Sequence, residues 1–265
     1  MLPLRDDNPT ARRALVTLLL IGACVFVYFG IQQAQSSKVY DPQARQVSEV
    51  RFSLQNAAIP KELTSRRALT RDEVAQEFGP GAVAQVCASP RASVVSETPT
   101  CEPGKNIWLS VLYSMFLHGS LLHLGGNMLF LWVFGNNIEN ARGPLRYLGF
   151  YLLAGLVAMA AHVLIEPGSV VPVVGASGAI AGVMGAYFVL FPNVRIVTLI
   201  IFFIPFIRRI SAKWLLGFWF VSQFLLTAPG VAWAAHVGGF AFGVLAGLLW
   251  RSTGRVKSGN YAPAR

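Results

Sequence analysis

Acid is what this chain has least of. Of 265 residues only 12 are Asp or Glu, against 22 Lys or Arg, and none follows Glu166. A further gap runs from Glu139 to Glu166. A Ser–His–carboxylate triad therefore has no acid to draw on in the carboxy-terminal part of the chain. The usual helical zinc motif, two histidines with a glutamate between them, is excluded there for the same reason. Histidine is scarce too, with 4 in all, and cysteine stops at 3. Charged residues of both signs make up 13% of the chain, where a soluble domain of this size carries about 25%.

Apolar residues fill the space that charge leaves. They make up 54% of the chain, its mean hydropathy is positive, and they come in uncharged blocks near the length of a hydrocarbon core. The blocks are Ala14–Ile31, Ser120–Phe134, Tyr147–Ile165, Val170–Phe191, Trp214–Ala228 and Val231–Trp250. No small-residue cleavage site follows the first, so it reads as a retained anchor rather than a leader. A seventh candidate, Ile196–Ile207, is short and fenced by Arg195, Arg208 and Arg209, which suits a segment lying in the interface. Six spans is the reading, with seven as the rival. The fold class expected is all-α, a polytopic bundle of six transmembrane helices with a long outer loop between the first two.

Charge placement supports that count. With an inside amino terminus, the inner segments hold 13 basic and three acidic residues, and the outer ones hold nine of each. The whole net charge of +10 then lies on one face, as the positive-inside bias requires. The basic balance thus reports orientation and calls for no nucleic acid. Residues 1–13 form a short cytoplasmic amino terminus, 14–31 the first span, 32–106 an extracytoplasmic segment, 107–250 a membrane core, and 251–265 a basic cytoplasmic tail. A multi-pass protein of a bacterial inner membrane, with both termini cytoplasmic, is the localisation expected.

Within the outer segment, "TRDEVAQEF" has Thr70 and Glu73 at capping-box spacing and stops at Gly79-Pro80, predicting a short helix. Cys87 and Cys101 both fall here, where an oxidising compartment would let them pair; two free thiols is the alternative. Farther on, Trp108 and Tyr113 suit the headgroup layer.

Polar side chains inside a bilayer are costly, so each needs a reason. The set is His118, His123, Asn127, His162, Ser177, Gln223 and His236. The second, fourth and sixth spans all run inward from the outer face. His123, Asn127, Ser177 and His236 sit near their starts, about 5–12 Å deep at 1.5 Å per residue. Gly178, Gly182 and Ala186 form a small-residue stripe on one helix, and Gly239, Gly243 and Gly247 form another. Such stripes let backbones approach closely, which would hold Ser177 and His236 in register. A hydroxyl beside a neutral imidazole is a nucleophile with its general base. The amide of Ser177 at a helix start, with His123 and Asn127, can then donate to an oxyanion. Glu139 with Arg142 or Arg146 reads as an inner-face brace. His118 reads as a loop anchor, His162 and Gln223 as structural, and Trp214, Phe218, Trp219 and Phe224 as lipid-facing or packing residues.

"GASG" at Ser177, "AHVGG" at His236, "FLHGSLLHLGGN" over His118, His123 and Asn127, and "GNNIE" ending at Glu139 together resemble the rhomboid family of intramembrane serine proteases. The resemblance covers about Trp108 to Trp250. It implies a Ser177–His236 dyad with His123 and Asn127 stabilising the oxyanion, and no metal or cofactor. The partners it implies are transmembrane protein substrates and the bilayer. It further implies cleavage in or near the substrate's membrane segment. Ala181 stands where many relatives carry an aromatic that stacks on the base, so His236 must be held by something else. Trp108-Leu109 replaces their usual Trp-Arg. A catalytically inactive rhomboid-like factor that binds membrane proteins is the alternative, and a small-molecule transporter is a third reading. The absence of paired repeats and the shallow polar cluster speak against the third.

Overall fold

The computed structural model describes residues 1–11, 13–36, 41–87, 100–201, 204–225 and 230–253. The basic tail beyond residue 253 and the end of the fifth apolar block, from residue 226, lie outside them. The structure is mostly helical. In chain order it runs β1 (Leu2–Asp6), α1 (Leu15–Phe26, continued as a wider turn through Val27–Gln33), α2 (Pro42–Asn56), α3 (Pro60–Ser65), α4 (Arg71–Phe78), α5 (Pro80–Val86) and α6 (Leu109–Ser114). Then come α7 (Leu121–Phe130, continued through Leu131–Gly135), α8 (Asn136–Arg142), α9 (Pro144–Ile165), α10 (Ser177–Leu190), β2 (Arg195–Ile200), β3 (Phe206–Ser211), α11 (Ala212–Leu225) and α12 (Trp233–Ser252). Among the described residues, three helical stretches have the length and apolarity to cross a membrane: Leu15–Gln33, Pro144–Ile165 and Trp233–Ser252. Ser177–Leu190 is apolar but shorter.

Two expectations change. The fold is not all-α, because β1, β2 and β3 form an antiparallel three-stranded sheet in that order. Ile196–Ile207, the candidate seventh span, supplies β2 and the start of β3, which removes a seventh helix. Its run of β-branched and aromatic residues suits a strand, and the amino-terminal "LPLRD" completes the sheet. The fourth apolar block is also helical only from Ser177. Gly175 adopts φ 125°, a conformation side-chain-bearing residues rarely take, and the chain before the serine is extended.

The chain folds as two compact bodies. The first comprises Met1–Gly22, Gly125–Ala158 and Ser177–Arg265. Its centre is the pairing of α10 with α12, where the two small-residue stripes meet in the order expected. A Cβ on Gly239 would strike the carbonyl oxygen of Gly178, and one on Gly243 would strike that of Gly182. One on Gly247 would come to 3.3 Å from Ala186 Cα. Glu139 serves this body as a helix cap. Its carboxylate accepts from the Val16 amide at 2.9 Å and from the Thr17 amide and hydroxyl at 2.8 Å each, closing the free amino-terminal end of α1. Arg142 lies over the Trp250 ring, 4.4 Å from its centroid.

The second body comprises Ala23–Leu124 and Met159–Ala176. The outer segment is here a folded unit with its own core of Leu54, Ile59, Leu69, Val74, Val86 and Val170. Cys87 and Cys101 join in a disulfide within it. α4 begins at Thr70, whose hydroxyl accepts from the Glu73 amide while Glu73 accepts from the Thr70 amide, the reciprocal cap predicted. Glu62 and Lys105 form a buried ion pair at 2.6 Å, with Glu62 also accepting from the Leu69 amide and Lys105 donating to the Leu54 carbonyl. Residues 166–176 belong to this body. The Val173 amide donates to Ala58 O, Lys61 to Ser169 O, and Gly175 to Ser114 O.

Candidate active site

Three helices of the first body build the site. Ser177 opens α10, so its side chain stands beside first-turn amides that have no partner within the helix. His236 lies one turn into α12. The glycine contact between these helices brings the two side chains together: Ser177 Oγ and His236 Nε2 are 2.9 Å apart, at hydrogen-bond distance. Both residues are half-buried. The pairing expected from the sequence is therefore present as a hydrogen bond, and a hydroxyl that can pass its proton to an imidazole is the chemistry it makes available.

α11 holds the other side of the imidazole. Gln223 Oε1 is 2.7 Å from His236 Nδ1. The Trp219 ring lies against the imidazole with centroids 5.9 Å apart and planes at 41°, and it also packs on Phe240. One sequence expectation shifts here. Trp219 takes the packing role, one of the two expected of it, and supplies the ring contact that Ala181, fully buried in α10, cannot. Gln223 is not merely a structural polar residue, since it touches the imidazole directly. The available signal was its presence among so few polar side chains in apolar helices. Trp214, Phe218 and Phe224 are exposed on the same helix, as expected.

Asn127, on α7, belongs to the same body. Its side chain is buried and its Nδ2 makes no hydrogen bond among the described residues. A buried donor without an acceptor costs about 1–3 kcal/mol, which marks it as a group waiting for one. His123, one turn earlier in α7, lies in the second body. Its amide donates to Ser120 Oγ at 3.1 Å, and its ring meets that of His118 edge-on at 5.3 Å. His118 anchors its loop, as expected. Its amide donates to Gln32 Oε1, Gln32 Nε2 donates back to the His118 carbonyl, and His118 Nδ1 donates to the Phe116 carbonyl. His162 is buried in α9.

Fold and site together define a polytopic helical membrane protein with a Ser–His pair. Residues 105–253 match the model of the rhomboid domain. The chain belongs to the rhomboid family. Among similar proteins are rhomboid protein 1, mitochondrial, of Saccharomyces cerevisiae, 34% identical over 150 residues, covering 52% of this chain and 41% of that one. The human presenilin-associated rhomboid-like protein, mitochondrial, is 31% identical over 160 residues, covering 55% and 39%. Rhomboid protease GluP of Bacillus subtilis is 39% identical over 79 residues, covering 30% and 15%. The matches thus span about two fifths or less of these relatives' lengths.

Proposed function

We propose that the chain is an intramembrane serine endopeptidase that cuts membrane-anchored proteins in or near their transmembrane segment. The 2.9 Å contact between Ser177 Oγ and His236 Nε2 carries this reading. Ser177 Oγ attacks the scissile carbonyl carbon as its proton passes to Nε2, forming a C–O bond and moving the carbonyl π pair onto oxygen. That oxyanion is met by Asn127 Nδ2 and by the first-turn amides of α10, which the helix dipole favours; His123 is the further donor that the sequence suggests. Collapse breaks the C–N bond, and the amine leaves with the proton from Nε2. Water then adds to the acyl carbon, giving a proton to Nε2. The ester C–O bond breaks, and the departing Ser177 oxygen recovers that proton.

Six spans are part of the same reading, with Ser177 and His236 near the outer face. The disulfide supports placing the second body on an oxidising side. The relatives' names include mitochondrial proteins and a Bacillus protease, which supports a membrane of either mitochondrial or bacterial origin in place of the narrower bacterial assignment.

The test is cleavage of a membrane-anchored reporter in proteoliposomes together with labelling by a fluorophosphonate. Wild type is expected to do both and Ser177→Ala neither. Reporter cleavage that survives Ser177→Ala would sink the reading. A wild type that neither labels nor cleaves would point to the inactive binding factor instead.

A further inference from the structure

We infer that Gln223 is the positioning residue of the base, the third member of a Ser177–His236–Gln223 relay in which an amide occupies the place of a carboxylate. This deepens the protease reading and rests on it. An imidazole that accepts a proton at Nε2 must carry its own proton on Nδ1 and must not rotate. In triads both tasks fall to a carboxylate that accepts from Nδ1–H. The three helices at the site offer no carboxylate for this: α10, α11 and α12, which bear Ser177, Trp219, Gln223 and His236, contain no Asp or Glu.

Gln223 meets both requirements because its own orientation is set. Its Nε2 donates to the Trp219 carbonyl at 3.0 Å, one turn back in α11, and to Ser222 Oγ at 3.3 Å. Ser222 Oγ is in turn committed to the same carbonyl at 2.6 Å. Flipping the amide would turn its oxygen toward the Trp219 carbonyl and its NH2 toward the imidazole, losing the acceptor. Held this way, Oε1 presents a lone pair to Nδ1 at 2.7 Å, so Nδ1 carries the hydrogen. Nε2 is left with its lone pair facing the Ser177 hydroxyl, the tautomer a general base needs. The Trp219 ring, on the same helix, limits rotation of the imidazole. One segment of α11, Trp219 to Gln223, therefore supplies both the acceptor and the ring contact that orient the base.

The experiment combines kinetics with nitrogen NMR on protein labelled with 15N-histidine. Only four histidines contribute, and a His236→Asn spectrum assigns the signal. In wild type His236 is expected to be protonated at Nδ1. Gln223→Leu is expected to lose that tautomer bias, to lower kcat about tenfold and to leave KM within about twofold. Gln223→Glu keeps the acceptor, so it should retain kcat. A purely packing role would not change which nitrogen of His236 carries the hydrogen. The inference is overturned if Gln223→Leu matches wild type in both tautomer and kcat, or if the leucine and glutamate variants lose activity equally with the His236 signal unchanged. If the wild type proves inert toward reporter and probe, the protease reading fails. The tautomer comparison still decides whether Gln223 sets the proton position on His236.

Discussion

Gly239→Ala tests the site through its scaffold without touching a reacting atom. The added Cβ would lie against the Gly178 carbonyl oxygen, far inside contact, with the Gly178 carbonyl carbon at 3.1 Å and Ala158 Cβ at 3.4 Å. Real Cβ atoms stay at least 3.0 Å from such neighbours, and here the obstacle is helix backbone, which has no rotamer to escape into. α10 and α12 must therefore part locally by on the order of 1 Å, since interiors are close-packed and hold no spare space. Gly178 follows Ser177 directly and Gly239 lies three residues after His236, so the parting falls on the Oγ–Nε2 contact. That contact is 2.9 Å now; lengthened by about 1 Å it ceases to be a hydrogen bond. A misplacement of that size costs about 100-fold in rate, while the overpacking costs about 1–3 kcal/mol of stability. The assay is the rate of fluorophosphonate labelling in detergent, which reports the Ser–His pair without a protein substrate, read beside a thermal melt. Gly149→Ala in α9 is the control, because a Cβ there meets nothing within 4 Å. It should leave labelling unchanged. Labelling of folded Gly239→Ala within about threefold of wild type, less than 1 kcal/mol of barrier, would refute the argument that the glycine stripes set the register.

Other outcomes follow from the same structure. Asn127→Ala removes a buried donor that has no acceptor among the described residues and should lower kcat about 100-fold or more, read by reporter cleavage in proteoliposomes. The Arg67 guanidinium, gripping both Glu73 oxygens at 2.8 Å, holds that carboxyl down at about 2 from an ordinary 4.5. Because the folded value is the lower one, the stabilisation is complete above pH 4.5 and disappears as pH falls through 2. Thermal melts over that window should show the loss in wild type and a flatter profile in Glu73→Gln. Reducing the Cys87–Cys101 disulfide, whose residues are 14 apart, should destabilise the second body by about 3 kcal/mol, measured by hydrogen exchange at the Leu69 and Val74 amides.

Much of the site was legible because its chemistry is expensive in a membrane. A serine at a helix start, a histidine on another apolar helix and two glycine stripes at matching offsets leave few other arrangements, and the helices meet in that register. The sheet was hidden for a physical reason. "RIVTLI" and "FIRRIS" have no alternation of apolar and polar residues, so a strand and a short interfacial helix look alike in them. The partner that decides between the two is "LPLRD", nearly two hundred residues away. The cap that Glu139 supplies was hidden for a related reason: the amides of a helix end that lack intrahelical partners, here Val16 and Thr17, carry no side-chain signature. Gln223 was passed over because a single glutamine has no periodic pattern, and its meaning lies in the nitrogen it faces.

The outer segment shows how local signals can be right and the unit still be missed. Its capped helix and its cysteine pair were both readable, yet neither reveals a core assembled from Leu54, Ile59, Leu69, Val74 and Val86 with Val170 from a distant loop. That loop is the important part. Three backbone bonds, from Lys61 to Ser169, Val173 to Ala58 and Gly175 to Ser114, tie residues 169–175 into the second body. The chain then passes through Gly175, whose φ of 125° suits glycine, and two residues later becomes the helix that opens with Ser177. A loop of this length left free would sample many conformations, and ordering it costs about 1–2 kcal/mol per residue. Packing it into a disulfide-closed core meets that cost during folding, before any substrate arrives. On this argument the loop's three backbone bonds depend on the core, and reducing the disulfide should speed hydrogen exchange at the Lys61, Val173 and Gly175 amides.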